Sequence, residues 1–376
     1  MSNLIKALMV ITTLLGAAPL AVQAEIRIGL AGAGVAGQAY AWPGEQLQRG
    51  AEMAAQDIND RGGVLGQSVG LTVGDDNADP EQAVALAKKL VSDGAVFVVG
   101  HTTSDGSIAA APIYEQARII MISPSASNPR LTDEGWSHVF RVFGRDDWQG
   151  AVAANYLADR WGDRRIAILH DGTVYGKGLA DEVKKHLNDL GVVETMYVAY
   201  EPRKADYWDV IDKMKTAAID AVYLGGRSTE TGLIVRGAGD HDYRPQFVSG
   251  DAAGTEEFWL ITGAAGEGTL FTSGPDPRRH PAATTVVQRF RESGYEPEGY
   301  TLYAYAAVQT WAQAVEKAGK LDYKAVIESL HAHEFDTVLG RISFDDKGDV
   351  RGFEPFVWYI WKDGNYAPVD PAKLTE

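Results

Sequence analysis

Short apolar runs alternate with amphipathic stretches along most of this chain, and this alternation restricts its fold more than any other feature. The first run, at 25–30, predicts a β-strand, and apolar side chains at helical spacing over 44–61 predict a helix. Asp79 followed by Pro80 is typical of the start of a second helix. Three further runs predict strands at 69–73, 95–99 and 119–123. Strands separated by helices indicate a parallel sheet.

The same alternation begins again after the apolar segment 139–143. Its predicted strands are 166–169, 195–198, 221–224 and 246–249, and its predicted helices are 147–161, 178–191, 206–217 and 229–237. Two long helices at 282–294 and 300–319 and two strand-like runs at 341–344 and 356–360 then close the chain. Two such series predict an α/β protein with two doubly wound lobes, each built on a parallel sheet covered on both faces.

The chain has 376 residues, which exceeds the size that a single hydrophobic core usually reaches. No low-complexity linker separates the two series, so we expect short segments near 143–147, 272–277 and 345–355 to cross between the lobes. The predicted bounds are 25–144 plus 276–350 for the first lobe and 145–275 plus 351–376 for the second.

The first 24 residues have the pattern of a secretory signal peptide. A short start containing Lys6 precedes an almost uncharged apolar run at 7–22, and small residues flank Gln23 before the expected cleavage site at Ala24. The apolar run is short for a bilayer span. We therefore expect export to the periplasm, with no membrane span in the mature chain.

Charge and cysteine content agree with export. The formal net charge is −16, and a surface of that sign repels nucleic acid and anionic membranes. The chain contains no cysteine, so its stability does not depend on disulfides in an oxidising compartment.

Ligands of open parallel sheets bind outside the carboxyl ends of the strands, because loop amides and helix N-termini gather there. Applied to the predicted strands, this rule selects five loops, at 100–104, 123–127, 171–176, 225–230 and 249–253. The binding site is expected among their side chains.

Hydroxyl groups crowd the first two of these loops. Ser104 and Ser127 each follow a predicted strand, where a hydroxyl and neighbouring backbone amides can donate to a carboxylate. The alternative is that they only cap helices. Because Ser104 and Ser127 both follow strands of adjacent strand–helix units, we favour anion binding over capping.

The second series of strands and helices contains an acidic candidate for the binding site. Asp251 follows an apolar strand and needs a cationic partner, which a ligand ammonium would supply. Arg227 could instead form an internal salt bridge with it. Tyr175 and Trp42 could line the pocket or belong to the core.

Other chemistry is poorly supported. The segment 32–37 matches the G-x-G-x-x-G pattern, but no helix follows it at once, so we predict no nucleotide cofactor. His331 and His333 are two residues apart and do not share a helix face, so we predict no metal site. An exported hydrolase remains an alternative, because catalytic triads are assembled in space.

Several segments together resemble a known family. They are 57–63, 75–76 with 79–83, 100–101, 123–124, 170–171 with 175–176, 225–226 and 344–349. Taken together, they resemble the leucine/isoleucine/valine-binding protein family, the periplasmic type I solute-binding components of ABC importers. The resemblance implies two α/β lobes joined by three crossing strands, with an amino acid held in the cleft between them.

The resemblance also implies a role for individual residues. Ser104 matches a serine that binds the ligand α-carboxylate, and Ser127 a threonine that binds carboxylate and amine. Ser125 matches a residue whose backbone carbonyl accepts from the amine, Tyr175 a tyrosine over the ligand, and Asp251 the glutamate that pairs with the ammonium. The complete predicted ligand-binding set is Trp42, Thr102, Ser104, Ser125, Ala126, Ser127, Tyr175, Arg227 and Asp251.

Two positions depart from the family pattern in the side-chain pocket. Arg227 stands where the family has a tyrosine, and Thr102 where a bulkier residue is common. An unpaired guanidinium beside an aliphatic ligand would be costly, which argues against plain leucine specificity.

These observations predict a non-enzymatic receptor that captures a small amino acid or a similar zwitterion and delivers it to ABC transporter permease subunits. A ligand-sensing receptor domain is the alternative from another class.

Overall fold

The computed structural model describes residues 25–34, 42–352 and 356–374. The predicted signal peptide at 1–24 lies outside the described residues, as do positions 35–37 of the glycine-rich segment and 353–355 of the third crossing segment.

The first series of elements contains the predicted strands and the two predicted helices, together with two helices and one strand that the sequence analysis did not assign. Its elements are β1 (Ile26–Gly32), α1 (Trp42–Asp60), β2 (Val69–Asp75), α2 (Pro80–Ser92), β3 (Phe97–Gly100), α3 (Ser104–Ala117), β4 (Ile120–Ser123), α4 (Arg130–Asp133) and β5 (Val139–Arg141). The side chain of Asp79 accepts hydrogen bonds from the backbone of Glu81 and Gln82 and caps α2, as the Asp-Pro pair predicted.

The second series follows the same alternation. Its elements are α5 (Asp146–Trp161), β6 (Ile166–His170), α6 (Val174–Asp189), β7 (Met196–Ala199), α7 (Trp208–Thr216), β8 (Ala221–Gly225), α8 (Ser228–Asp240), β9 (Gln246–Ser249), α9 (Glu256–Thr262) and β10 (Leu270–Ser273).

The last part of the chain contributes to both halves of the molecule. Its elements are α10 (Thr284–Glu292), α11 (Thr301–Ala318), α12 (Tyr323–Ala332), β11 (Phe335–Thr337), β12 (Gly340–Phe344), β13 (Val350–Arg351), β14 (Val357–Lys362) and β15 (Asn365–Val369). Helices α10 to α12 pack on the first core, whereas β14 and β15 join the second sheet.

Two large sheets organise the molecule. The first has the order β2-β1-β3-β4-β5, with every pair parallel. The second has the order β15-β14-β10-β9-β8-β6-β7, in which β6 to β10 are parallel. The described residues thus confirm the predicted α/β fold of two doubly wound lobes.

The end of the second sheet differs from the sequence expectation. We expected the strand-like run at 356–360 to be the last, but β14 continues into β15 and both are antiparallel to their neighbours. The connection is Asp363-Gly364, with φ of 50° and 80°. An Asp-Gly pair with positive φ at both positions is typical of a two-residue hairpin, and this signal was present in the sequence.

Each sheet buries both faces, as parallel sheets require. In the first sheet Leu30 and Phe97 face one cluster, which includes Trp311 of α11, while Val98 and Met121 face another under α2 and α3. Phe97 and Trp311 stack with ring centroids 5.0 Å apart. The second sheet has the same two-sided arrangement, with separate clusters on its two faces.

A buried ion-pair network holds the first crossing segment. Arg141 is fully buried at the end of β5, and its Nε donates to Asp349 Oδ1 at 2.5 Å. Arg145, just before α5, donates from Nη1 to Asp349 Oδ2 at 2.7 Å and from Nη2 to Asp133 Oδ2 at 3.1 Å. Asp349 therefore joins the turn between β12 and β13 to the segment that leads into the second lobe.

We expect Asp349→Asn to destabilise the protein, because it leaves two buried guanidinium groups without their shared carboxylate. Breaking a buried pair in this way costs about 3–5 kcal/mol. Urea unfolding of the mutant is the measurement, and Asp346→Asn on the exposed side of the same turn is the matched control. Equal unfolding midpoints for the two mutants would show that the network contributes no net stability.

Candidate ligand-binding cleft

A cavity of about 700 Å³ lies between the carboxyl ends of the two sheets. The first lobe contributes loops that follow β1 to β4, and the second contributes loops that follow β6 to β9. This is where the rule for open parallel sheets placed the site. Of the predicted residues, the cavity is lined by Thr102, Ser104, Ser125, Tyr175, Arg227 and Asp251.

The other predicted residues are placed differently. Ala126 and Ser127 are buried but are not among the side chains that line the cavity. The backbone carbonyl of Ala126 accepts a hydrogen bond from Arg141 Nη1 at 3.2 Å. Trp42 is the first residue of α1, and its side chain is outside what the structure describes.

The first-lobe wall of the cleft carries hydroxyl groups at the N-terminus of α3. Thr103 caps this helix by accepting from Gly106 N at 3.1 Å, and Ser104 is its first residue, 2% exposed. Ser104 Oγ accepts from Asn128 N at 3.2 Å, so its proton remains available for an acceptor. Ser127 Oγ is buried behind this wall, beside the carboxyl group of Asp146. Ser104 can therefore donate to an anion.

The hydroxyl groups of Ser125 and Thr102 already form hydrogen bonds within the first lobe. Ser125 Oγ donates to the carbonyl of Thr102 at 2.7 Å, and Thr102 Oγ1 accepts from Ala33 N at 2.9 Å. These bonds tie the loops after β1, β3 and β4 to one another. The hydrogen bonds therefore hold the three loops of the first-lobe wall in fixed positions relative to one another.

Asp251 provides the opposite charge in the second lobe. It is 5% exposed and begins a short 3₁₀ turn directly after β9. Tyr175 OH donates to its Oδ1 at 3.2 Å, and Tyr300 OH donates to its Oδ2. Burial raises the pKa of Asp251, and hydrogen bonds from Tyr300, Gln149 and Tyr175 oppose the rise. A ligand cation would stabilise this carboxylate more than the neutral hydroxyl groups do.

Tyr300 was missed by the sequence analysis because it comes from the part of the chain that returns to the first lobe. Its backbone N–H donates to Gln46 Oε1 of α1 at 3.0 Å. Helix α1 also packs closely on α11, since a Cβ at Gly50 would lie 2.1 Å from the carbonyl oxygen of Thr301. This contact between two helices sets the position of Tyr300, and no local pattern indicates it.

Asp146, the first residue of α5, is a second buried acid that the sequence analysis missed. It is fully buried. Burial and the charge of Asp251 raise the pKa of Asp146, whereas the hydroxyl group of Ser127 opposes the rise. The two acids make this side of the cleft favourable for a cation.

Arg227 is the N-cap residue of α8 and reaches across the cleft. Its Nη2 donates to the carbonyl of Ala78 in the first lobe at 3.4 Å. No ion pair joins it to Asp251 or Glu230 among the described residues. The internal salt bridge that the sequence left open is therefore not formed here.

Further hydrogen bonds join the two lobes beside the cavity. Asp105 Oδ1 of α3 accepts from Val174 N at the start of α6 at 2.9 Å, and Asn128 Nδ2 donates to the carbonyl of Val174 at 2.8 Å. One carboxylate of the first lobe thus binds a helix N-terminus of the second, where negative charge is favourable.

No group of three or more His, Cys, Asp or Glu side chains within 25–34, 42–352 and 356–374 is arranged to hold a metal ion. None of the described helices is long and apolar enough to cross a membrane.

Comparison with known proteins agrees with this architecture. The model of a family described as periplasmic binding protein matches residues 25–365. A Brucella suis protein named Leu/Ile/Val-binding protein homolog 1 is 45% identical over 326 residues, which cover 86% of this chain and 88% of the relative. A Pseudomonas aeruginosa leucine-, isoleucine-, valine-, threonine- and alanine-binding protein is 39% identical, with 89% of this chain and 90% of the relative covered.

Solved structures give the same result. A leucine-binding protein from Thermotoga maritima superposes with a TM-score of 0.83 at 26% identity, covering 93% of this chain and all of the other. A substrate-binding protein of an ABC transporter from Desulfitobacterium hafniense, in complex with Leu, has a TM-score of 0.76 at 28% identity and covers 92% of this chain. The chain therefore belongs to the periplasmic binding protein family, in the group of the leucine/isoleucine/valine-binding proteins.

Proposed function

We propose that this protein is an exported solute-binding protein that captures a small amino acid or a similar zwitterion and delivers it to an ABC importer. One observation carries the proposal above all others. The buried carboxylate of Asp251 lies on one wall of the interlobe cleft, and the buried hydroxyl group of Ser104 at the start of α3 lies on the other. This arrangement has the polarity that an ammonium and a carboxylate on one small molecule require.

The carboxylate of the ligand would bind to the first lobe. Ser104 and Ser127 offer neutral hydroxyl donors, and the N-terminus of α3 adds the positive end of a helix dipole. Neutral donors suit a ligand that must be released again, because they do not hold it with a full opposite charge.

The ammonium of the ligand would bind to Asp251. Its two oxygens already accept from Tyr175 and Tyr300, which fix the orientation of the carboxylate. An ammonium that reaches this site gains a charge-assisted hydrogen bond in a water-poor environment. The gain offsets the cost of burying both charges.

The proposed lobes have the bounds 25–144 plus 276–350 and 145–275 plus 351–376. The separate clusters around the two sheets support this division. A ligand that contacts both walls favours the state in which the lobes lie together, and closure is a hinge motion about the crossing segments. Affinity near a micromolar Kd, about −8 kcal/mol, suits capture followed by release.

The proposed partners are the permease subunits of an ABC transporter, and the proposed location is the periplasm. The family membership and the signal-like segment at 1–24 support both. We infer that the protein is a receptor rather than an enzyme, because the cleft side chains serve to bind opposite charges. A ligand-sensing receptor domain would use the same cleft, and the presence of transporter genes beside this one distinguishes the two roles.

A thermal-shift screen of the mature protein against amino acids and non-zwitterionic analogues tests the proposal. Because a ligand that binds only the folded state raises its stability, we expect amino acids to raise the melting temperature. Their N-acetyl and amide derivatives, which lack one of the two charges, should not. Stabilisation by the derivatives alone would contradict a zwitterion site.

We expect Asp251→Asn to weaken binding of the best amino acid from that screen by about 2–5 kcal/mol, because it removes one partner of a desolvated ion pair. Calorimetry gives the affinity, and the melting temperature of the ligand-free mutant reports the fold. Asp242→Asn on the exposed surface is the matched control. Unchanged affinity in Asp251→Asn would remove this residue from the site.

We expect Ser104→Ala and Ser127→Ala to weaken binding by less than the aspartate change does. A hydrogen bond to a charged group is worth about 1.5–3 kcal/mol, and backbone amides of α3 retain part of the carboxylate's coordination. The control is Ser92→Ala, an exposed serine at the end of α2. If both mutants bound like the control, helix capping would explain the two hydroxyl groups.

We expect Asp105→Ala to weaken binding through closure rather than through ligand contact. Loss of its bond to Val174 N favours separation of the lobes, and apparent affinity falls with the fraction of the closed state. Small-angle scattering of the ligand-free mutant should show a larger radius of gyration, which saturating ligand restores. Glu115→Ala on the exposed face of α3 is the control, and identical scattering curves for the two mutants would exclude this role.

A further inference from the structure

The cleft extends well beyond the proposed zwitterion site. Its volume of about 700 Å³ corresponds to roughly 20 water molecules at the ~30 Å³ each occupies in the liquid. An aliphatic amino acid has nine or fewer non-hydrogen atoms. The cavity therefore has room for a longer ligand.

The order of the strands shows which lining residues lie near the zwitterion site and which lie far from it. In the second sheet β9, β8, β6 and β7 are neighbours in that order, so Asp251 after β9 and Arg203 after β7 are three strand spacings apart, roughly 14 Å. In the first sheet the hydroxyl loops follow β3 and β4, while Ala78 follows β2 on the far side of β1. Both walls of the cleft thus extend beyond the proposed zwitterion site, on the side of β7 and β2.

We call the part of the cleft lined by Ala78, Arg203, Arg227, Glu230 and Glu257 its far end. The acidic side chains there have hydrogen-bond donors within the protein, whereas the basic ones lack strong acceptors in the part of the chain that the structure describes. Glu230 Oε1 accepts from Arg203 N at 3.1 Å, and Glu257 Oε1 accepts from the hydroxyl of Thr229 at 2.6 Å. Burial raises the pKa of Glu257, as does the charge of Glu230. The two acids therefore already have donors within the protein.

The guanidinium of Arg227 is not satisfied in this way. It is half-buried, and within the described residues it has a single hydrogen bond, of 3.4 Å, to the carbonyl of Ala78. That length exceeds the usual 2.7–3.2 Å of an N–H···O bond. Arg203 lines the same end of the cavity with an exposed side chain and forms no ion pair among the described residues. Burial raises the pKa of Asp171, an acid after β6 that does not line the cavity, and the charge of Arg227 opposes the rise. Among the side chains that do line the far end, those of Arg203 and Arg227 are donors that form no ion pair within the described residues.

We propose that the far end of the cleft binds a second carboxylate, so that the preferred ligands are α-amino acids whose extended side chain ends in a carboxylate. This inference rests on the proposed function and specifies its ligand class. A planar carboxylate can accept two parallel hydrogen bonds from a guanidinium, and Arg227 lies one strand from Asp251. An aliphatic side chain would bury the guanidinium without supplying an acceptor.

Three amino acids with the same six-carbon skeleton test this proposal. L-norleucine ends in a methyl group, L-2-aminoadipate in a carboxylate and L-lysine in an ammonium. Calorimetry should show at least tenfold tighter binding of L-2-aminoadipate than of the other two. The variant Arg227→Gln should lose at least tenfold for L-2-aminoadipate and bind L-norleucine more tightly than the wild type does, because no guanidinium is then buried beside the methyl group. Arg236→Gln on the exposed face of α8 should match the wild type throughout.

Each contrary result has a definite meaning. Tighter binding of L-lysine would show that Glu230 and Glu257 select the ligand, and equal or tighter binding of L-norleucine would show that the far end selects no charge. Equal loss for all three in Arg227→Gln, with a lower melting temperature without ligand, would make Arg227 a structural residue. Any of these overturns the inference while amino-acid binding stands. If no zwitterionic amino acid binds the wild type, the proposed function itself fails.

Discussion

Parallel strand pairing is the constraint on which the rest of this structure depends. A parallel strand can follow another only after the chain has returned to the starting edge, so every strand of β1 to β5 ends on the same side of its sheet. The same holds for β6 to β10 in the second sheet. The two carboxyl edges face each other, and loops distant in sequence therefore share one cavity. The hydroxyl groups and Asp251 come together for this reason, without any contact between their strands.

The two buried carboxylates that matter most have opposite surroundings. Asp349 lies between Arg141 and Arg145, so the protein itself neutralises its charge, and the pairing holds the crossing segment in place. Asp251 has only neutral donors near its oxygens, namely Tyr175, Tyr300 and Gln149. Burial of an acid without a cationic partner costs stability, and such costs are retained where a ligand repays them. Asp349 is thus neutralised within the chain, whereas at Asp251 the proposed ligand ammonium would supply the opposite charge.

Family membership and ligand choice depend on different parts of the chain. The match at 45% identity spans 86% of the sequence, so it extends over both lobes. Ligand choice depends on a few side chains in loops, and related folds bind different molecules by changing those side chains. Arg227 at the start of α8 and Thr102 after β3 are such positions. The fold can thus be shared with proteins named for leucine while the far end of the cleft is polar and positively charged.

The sequence by itself predicted strands β1 to β4 and β6 to β9 and most of the longer helices, because apolar periodicity and capping residues such as Asp79 act over only a few positions. It did not assign α3, α12 or β15. It also determined which loops lie at the cleft, since all parallel strands end at one edge. It predicted Ser104, Tyr175, Arg227 and Asp251 as residues of that cleft, and all four line it. Even the missed hairpin at Asp363-Gly364 had a local signal.

Only the tertiary structure decided how these residues are partnered. Tyr300 reaches Asp251 because α1 and α11 pack closely at Gly50, which are contacts between residues some 250 positions apart. The burial of Asp146 and the reach of Arg227 to Ala78 likewise depend on how the two lobes meet. Local sequence patterns do not indicate contacts between residues so far apart in the chain, because burial and electrostatic pairing arise only when separate segments pack together.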